Sequence, residues 1–183
     1  MTYNLDWLKE KFDQGNPIKY IFFWGQSHDS RLDIGPFVFS QWYPSKFSID
    51  GIEYKSAEHW MMAQKALLFG NHDIFQQIIS EEKPAAVKAL GRQITGFDQN
   101  TWDANKFNLV VRGNAEKFKQ DEQLKNYLVS TGDRVIVEAS PVDNIWGIGL
   151  AKDHRGIKNP HNWKGQNLLG FAIMEARDVI KTL

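Results

Sequence analysis

The sequence predicts a predominantly α-helical α+β fold, built as a single domain over residues 1–183. Its length of 183 residues is close to that of one domain, and 42% hydrophobic with 24% charged residues is ordinary for a globular protein. Apolar residues recur at helical spacing through most of the chain, whereas β-favouring segments are few and short. No repeat, low-complexity tract or Ser/Gly-rich linker marks a domain boundary.

The first part of the chain is predicted to contain short elements. Apolar spacing favours a helix over 5–14, and an aromatic run favours a strand over 20–24. The polar segment 26–36, with its Gly and Pro, is typical of a loop. The pair Asp50–Gly51 lies between β-favouring residues and indicates a hairpin over 47–54.

Helices dominate the remainder. Ser56 has the position of an N-cap for a helix that continues to about Phe69, just before Gly70. Further helices are predicted over 71–80, 84–91, 101–119, 121–129 and 167–180, with one strand over 135–139.

Charge and cysteine content exclude several classes of function. Lys and Arg total 22, Asp and Glu total 22, so no net charge attracts the chain to nucleic acid or to an anionic membrane. The absence of cysteine excludes disulfides, thiolate nucleophiles and Cys-based metal sites. The first residues lack the apolar run of a signal peptide, and no segment reaches the ~20 apolar residues of a membrane span. We therefore expect a cytoplasmic protein.

Glu58 and Lys65 are the first candidate catalytic pair. They are seven residues apart on the predicted helix, which places them about 20° apart around its axis and about 10 Å apart along it. If they face a pocket beside Met61 and Met62, apolar surroundings would displace the pKa values of both groups. An exposed charge pair is the alternative, and spacing alone favours it.

A loop after the strand over 135–139 combines an acid, an indole and two glycines. Asp143 could act as a base or stabilise a cation, and Trp146 could stack on a planar base. Gly147 and Gly149 would let a ligand approach the backbone. The alternative is a tight turn around a buried tryptophan.

A second candidate binding stretch lies on the helix over 101–119. Trp102, Lys106, Arg112 and Lys117 could offer contacts to a phosphate, although a solvated basic face is the interpretation that sequence alone favours. The five histidines show no ligand spacing, so no metal site is predicted.

Many of these residues belong to short motifs that follow one another in a fixed order. They are Phe22–Gly25, Phe39–Ser45, Asp50–Gly51, Ala57–Ala66, Ala89–Arg92, Trp102, Val111–Asn114, Lys117–Phe118, Thr131–Gly132, Glu138–Asp143, Ile145–Gly149 and Gly165–Gly170. In this order the chain resembles the NADAR or YbiA-like family from about residue 21 to 179, with residues 1–20 as a helical extension. The chain departs from the family at Ser40–Gln41–Trp42, where many members carry Ser-Asn-Phe.

The resemblance implies a helical fold with a few short strands and an N-glycosidase. The expected reaction is hydrolysis of the ribose–nitrogen bond of early riboflavin biosynthesis intermediates, the ribosylaminopyrimidine phosphates. The expected catalytic residues are Glu58, Lys65 and Asp143. The expected substrate-binding residues are Trp24, Gly25, Trp102, Lys106, Arg112, Trp146, Gly147, Gly149 and Asn167.

Two routes for this reaction remain open. In one, Glu58 and Asp143 stabilise an oxocarbenium-like sugar and orient water, while Trp24, Trp102 or Trp146 stacks on the base. In the other, Lys65 attacks C1 of the opened ribose and forms a Schiff base that water hydrolyses. Neither route needs a metal or an organic cofactor.

Two alternative functions also remain open. One is removal of ADP-ribose from guanine, with nucleic acid involved only as the modified substrate. The other is a non-catalytic module that binds a nucleotide or ADP-ribose. In each case the expected partner is a small molecule or a modified base, and no membrane is involved.

Overall fold

The computed structural model describes residues 1–25 and 33–182, and helices make up most of its regular structure. Their bounds are α1 Leu5–Asp13, α2 Ala57–Leu68, α3 His72–Ser80, α4 Pro84–Gly91, α5 Gln99–Lys119, α6 Glu122–Ser130 and α7 Leu168–Lys181. Two short 3₁₀ helices cover Pro36–Phe39 and Pro160–Asn162. No helix within the described ranges is long and apolar enough to cross a membrane.

Several helices begin at residues whose side chains cap them. Asn4 accepts a hydrogen bond from the Trp7 N–H at the start of α1, and Asp98 accepts one from the Thr101 N–H at the start of α5. Pro84 lies in the first turn of α4, where its missing N–H has no intrahelical partner to lose. These starts follow from local chemistry, which is why the sequence places them well.

The strands form two separate pairs. They are β1 Tyr20–Phe23, β2 Phe47–Ile49, β3 Ile52–Tyr54 and β4 Val135–Glu138. β1 and β4 are parallel, with Tyr20 opposite Val135. β2 and β3 form the predicted antiparallel hairpin, and both turn residues have positive φ, 52° at Asp50 and 80° at Gly51. An Asp-Gly pair tolerates this backbone well.

The described residues group into two compact units. The first comprises Met1–Ser40 and Gln123–Leu183, and the second comprises Gln41–Glu122. The prediction of one domain over residues 1–183 stays a prediction.

In the first unit, the β1–β4 pair packs against α7. Val135, Ile136 and Val137 of β4 and Phe171 of α7 are buried. Gly170 fits here because a Cβ atom would lie 2.1 Å from the Ile136 carbonyl oxygen. The N-terminal extension belongs to the same unit. Its Trp7 ring meets the Phe171 ring edge-on at 6.4 Å, and the Tyr3 hydroxyl donates to Asp178 over 2.6 Å.

In the second unit, α2 is central and packs against α3, α4 and α5. Trp60 is 2% exposed, and its Nε1–H donates to the Leu109 carbonyl over 2.7 Å. Gly113 of α5 lies against this indole, where a Cβ atom would be 2.1 Å from Trp60 Cδ1. Tyr54 of the hairpin meets the same indole at 5.1 Å.

The predicted fold class is confirmed, and every predicted helix and strand is present within two residues of its expected ends. The small sheet takes the form of two separate strand pairs. Of the loop predicted over 26–36, residues 26–32 lie outside the described residues, and a 3₁₀ helix begins at Pro36.

Candidate active site

Glu58 lies in the first turn of α2 and is buried. Ser56 caps the helix by accepting from the His59 N–H, and the Glu58 N–H donates to the Gln41 carbonyl over 2.9 Å. Only 6% of Glu58 is exposed. This burial rules out the exposed charge pair that spacing alone favoured. A carboxylate at the start of a helix is favoured by the helix dipole, which offsets part of its desolvation cost.

Lys65 lies two turns further along α2 and is half-buried. Its Nζ donates to the Gly91 carbonyl over 3.1 Å. The same atom lies 4.5 Å from the centre of the Phe97 ring and 5.8 Å from the centre of the Trp102 ring. Burial lowers the pKa of Lys65 below its usual value. A larger share of neutral amine is therefore present at a given pH than in an exposed lysine.

The structure brings Trp102 to Lys65. Of the three basic candidates on α5, it keeps Lys106 and Arg112 apart from each other. Lys106 forms an ion pair with Asp103 and is 9% exposed. Arg112 is exposed and pairs with Asp50 over 2.8 Å. Six residues separate the two cations, which turns them about 120° apart around the helix. They form no shared anion surface, and their binding roles stay predictions.

Asp143 belongs to the first unit and organises its own loop. One carboxylate oxygen, Oδ1, accepts from the N–H groups of Ile145 and Trp146, each over 2.8 Å. Asp143 and Trp146 are both half-buried. The turn that this carboxylate caps is the tight turn considered as an alternative. Whether Asp143 also serves in catalysis stays a prediction.

The glycines of this loop are needed by the packing of the loop itself. A Cβ atom at Gly147 would lie 2.9 Å from Ser140 Cβ and 3.0 Å from two backbone oxygens. Gly149 has φ of 65°, and a Cβ atom there would lie 2.3 Å from Asn144 Oδ1. The loop geometry thus accounts for both glycines without a ligand, and their contact with substrate stays a prediction.

Asn167 joins β4 to the start of α7. It is fully buried with φ of 54°, and its Nδ2 donates to the Ile136 carbonyl while its Oδ1 accepts from the Glu138 N–H. These hydrogen bonds tie the residue before α7 to the backbone of β4, which is a structural role. The predicted contact of Asn167 with substrate stays a prediction.

Trp24 and Gly25 follow β1 in the first unit. Trp24 is 51% exposed, and Gly25 has φ of 64°. An exposed indole presents a flat face on which a planar ligand can stack. The binding role predicted for both residues stays a prediction.

Sequence reasoning missed the surroundings of Lys117. This residue of α5 has no exposed surface, and burial lowers the pKa of its ammonium group to about 7. Its Nζ lies 5.5 Å from the centre of the Tyr43 ring. The solvated basic face favoured from sequence is wrong for Lys117. The signal in the sequence is that Lys117 follows the apolar Val110 by seven residues, which places both on one face of the helix.

No group of three or more His, Asp or Glu side chains within 1–25 and 33–182 is arranged to hold a metal ion.

Comparison with known proteins adds independent findings. The model of the NADAR domain family matches residues 22–181. An N-glycosidase of Acanthamoeba polyphaga mimivirus is 43% identical over 166 residues, which are 87% of this chain and 95% of that protein. A riboflavin biosynthesis protein of Zea mays, PYRR, is 30% identical over 138 residues, covering 72% of this chain and 20% of that protein.

The fold also has a solved counterpart. The NMR structure of the E. coli protein YbiA superposes with a TM-score of 0.71, at 24% identity, over 90% of this chain and 86% of that one. The mimivirus relative is an N-glycosidase by name, which agrees with the predicted enzyme class, a hydrolase acting on N-glycosyl bonds. With its family model matched over most of its length and a relative this similar, the chain belongs to the NADAR domain family.

Proposed function

We propose that this protein hydrolyses the ribose–nitrogen bond of ribosylaminopyrimidine phosphates, the early intermediates of riboflavin biosynthesis. The observation that carries the proposal is on α2, where a buried carboxylate, Glu58, and a half-buried amine with a lowered pKa, Lys65, lie on one face of one helix. The maize relative supports this choice of substrate because its name places it in riboflavin biosynthesis. The region similar to this chain is a fifth of the maize protein.

Breaking a ribosyl C–N bond builds positive charge on the sugar while the leaving nitrogen gains electrons. The site must therefore supply an anion near C1 and a proton near the nitrogen. Glu58 suits the first task, because a carboxylate out of water acts on a developing cation more strongly than an exposed one.

Lys65 offers the second route. Its neutral amine attacks C1 of the opened sugar, and the bond from C1 to the leaving nitrogen breaks as that nitrogen takes up a proton. The resulting Schiff base is hydrolysed by water, which returns the amine and releases ribose 5-phosphate. The lowered pKa of Lys65 and its place between two aromatic rings favour this route, because only the neutral amine is a nucleophile.

Release of ribose 5-phosphate from the ribosylaminopyrimidine phosphate tests the proposal. We expect turnover by the wild type and a fall of about 10² or more in kcat for Glu58→Gln, which keeps the shape of the side chain and removes its charge. Wild-type protein that is folded but releases no sugar would refute the proposal. Turnover of ADP-ribosylated guanine alone would replace it with the second function.

Borohydride trapping separates the two routes. Reduction during turnover would leave a sugar phosphate bonded to Lys65, detected by mass spectrometry of that peptide. Lys65→Arg should abolish the adduct, and Lys46→Arg should not, because Lys46 is an exposed lysine paired with Glu53 on the hairpin. Full activity of Lys65→Arg without any adduct would leave only the route through water.

A further inference from the structure

We propose that Phe97 is the platform on which the flat heterocyclic leaving group of the substrate stacks. This inference rests on the proposed function. Phe97 lies in the short connection between α4 and α5, outside the motifs that resemble the family.

The first observation is the exposure of an aromatic ring beside a candidate catalytic amine. Phe97 is 41% exposed, although it is a large apolar side chain. The Lys65 Nζ lies over its ring at 4.5 Å from the centre. A solvent-exposed aromatic ring beside a candidate nucleophile, here the Lys65 amine, is a surface on which a planar ligand can stack.

The second observation is that the backbone before Phe97 is firmly held. The Thr95 N–H and hydroxyl both donate to Asn71 Oδ1 over 3.0 Å, and Asn71 Nδ2 donates to the Thr95 carbonyl over 3.0 Å. Gly96 follows with φ of 67°, a conformation that most residues avoid. The connection is thus fixed by three hydrogen bonds to a helix start and turns at a glycine.

The third observation is the support of the ring itself. The Phe69 ring lies 5.2 Å from that of Phe97, tilted by 57°. Lys65 occupies one side and Phe69 another, so the ring has a defined orientation while part of it stays open. A platform that is already ordered before binding loses little conformational entropy when a ligand stacks on it.

These features suit the leaving group better than the sugar phosphate. A pyrimidine is flat and can stack on a benzene ring, which is worth about tenfold or more in affinity. A phosphate gains nothing from an apolar ring. The ring is therefore expected to contact the heterocycle and not the sugar phosphate.

Calorimetric binding of the two product halves tests the inference without relying on turnover. The probes are 2,4-diamino-6-hydroxypyrimidine, a stable aminopyrimidine, and ribose 5-phosphate. Phe97→Ala should weaken binding of the pyrimidine by about tenfold, which is about 1.4 kcal/mol, and leave ribose 5-phosphate unchanged. Phe97→Trp should restore pyrimidine binding. Leu67→Ala is the matched control, because Leu67 is another exposed apolar residue of the same unit.

The outcomes are distinct. Equal effects of Phe97→Ala on both probes, no effect on either, or no pyrimidine binding by the wild type would each overturn the platform. If Phe97→Ala does not fold, Phe97→Leu keeps the apolar volume without the π face and should show the same selective loss. Failure of the proposed function would appear separately, as a wild type that binds the pyrimidine but releases no ribose 5-phosphate.

Discussion

Replacement of Lys117 by methionine is expected to remove a pH dependence of the protein's stability between pH 7 and pH 9. The side chain of Lys117 is fully buried on α5, and its Nζ lies near the rings of Tyr43 and Phe118, at 5.5 and 5.1 Å from their centres. Burial lowers the pKa of this group from 10.5 to about 7. Methionine has a similar length and no titratable group, so the substitution removes the proton equilibrium at this position.

The sign and size of the effect follow from proton binding. Between pH 7 and 10.5 the unfolded chain holds a proton on Lys117 that the folded chain has released, so the free energy of unfolding rises with pH in this window. Below about pH 7 the cost of the buried charge is fully present, at roughly 5 kcal/mol from 1.36 kcal/mol per pH unit. Between pH 7 and pH 9 it falls by about 2 kcal/mol.

Urea unfolding of wild type and Lys117→Met between pH 6 and pH 9 measures this effect. The difference in unfolding free energy between the two proteins should shrink by about 2 kcal/mol from pH 7 to pH 9. Lys46→Met provides the control, because the side chain of Lys46 is 70% exposed and should show no such trend. Parallel pH curves for wild type and Lys117→Met would refute the assignment of a lowered pKa to Lys117.

Two further predictions concern the loop of the first unit and the core of the second. Asp143→Asn should keep the turn, because its side-chain oxygen can still accept from the two loop N–H groups, but it should lower kcat about 10²-fold or more. Asp143→Ala should lower kcat as well, and urea unfolding should show a free energy of unfolding about 1–2 kcal/mol smaller than that of the wild type. Full activity of Asp143→Asn would leave Asp143 with a structural role alone. Gly113→Ala should lower the stability by about 1–3 kcal/mol, because its Cβ atom would lie 2.1 Å from the fixed Trp60 indole. An unchanged urea midpoint would contradict the packing described there.

The helices were predictable because their signals are local. α4 begins at Pro84, α2 begins after the Ser56 cap, and the hairpin turns at Asp50–Gly51, all as expected. Each of these features depends on residues a few positions apart. The β1–β4 pair is different, because its strands are far apart in the sequence and no local pattern specifies that they meet.

The candidate site was predictable in part. Spacing placed Glu58 and Lys65 on one face of a helix, and the structure then supplied the burial that spacing leaves open. Lys106 and Lys117 were expected to lie on an exposed basic face of α5, but packing around this helix buries both side chains. The side chain of Asn167 bonds to the backbone of β4, which spacing could not indicate, and its contact with substrate stays a prediction.

The sequence by itself therefore determined which segments are helical, where they begin, and which side of α2 carries an acid and an amine. Only the tertiary structure decided what covers those side chains. It placed Phe97 over Lys65 and Tyr43 beside Lys117. The physical reason is that periodicity specifies the direction of a side chain on its own helix, whereas its solvation, and with it the pKa, depends on residues that other elements bring close.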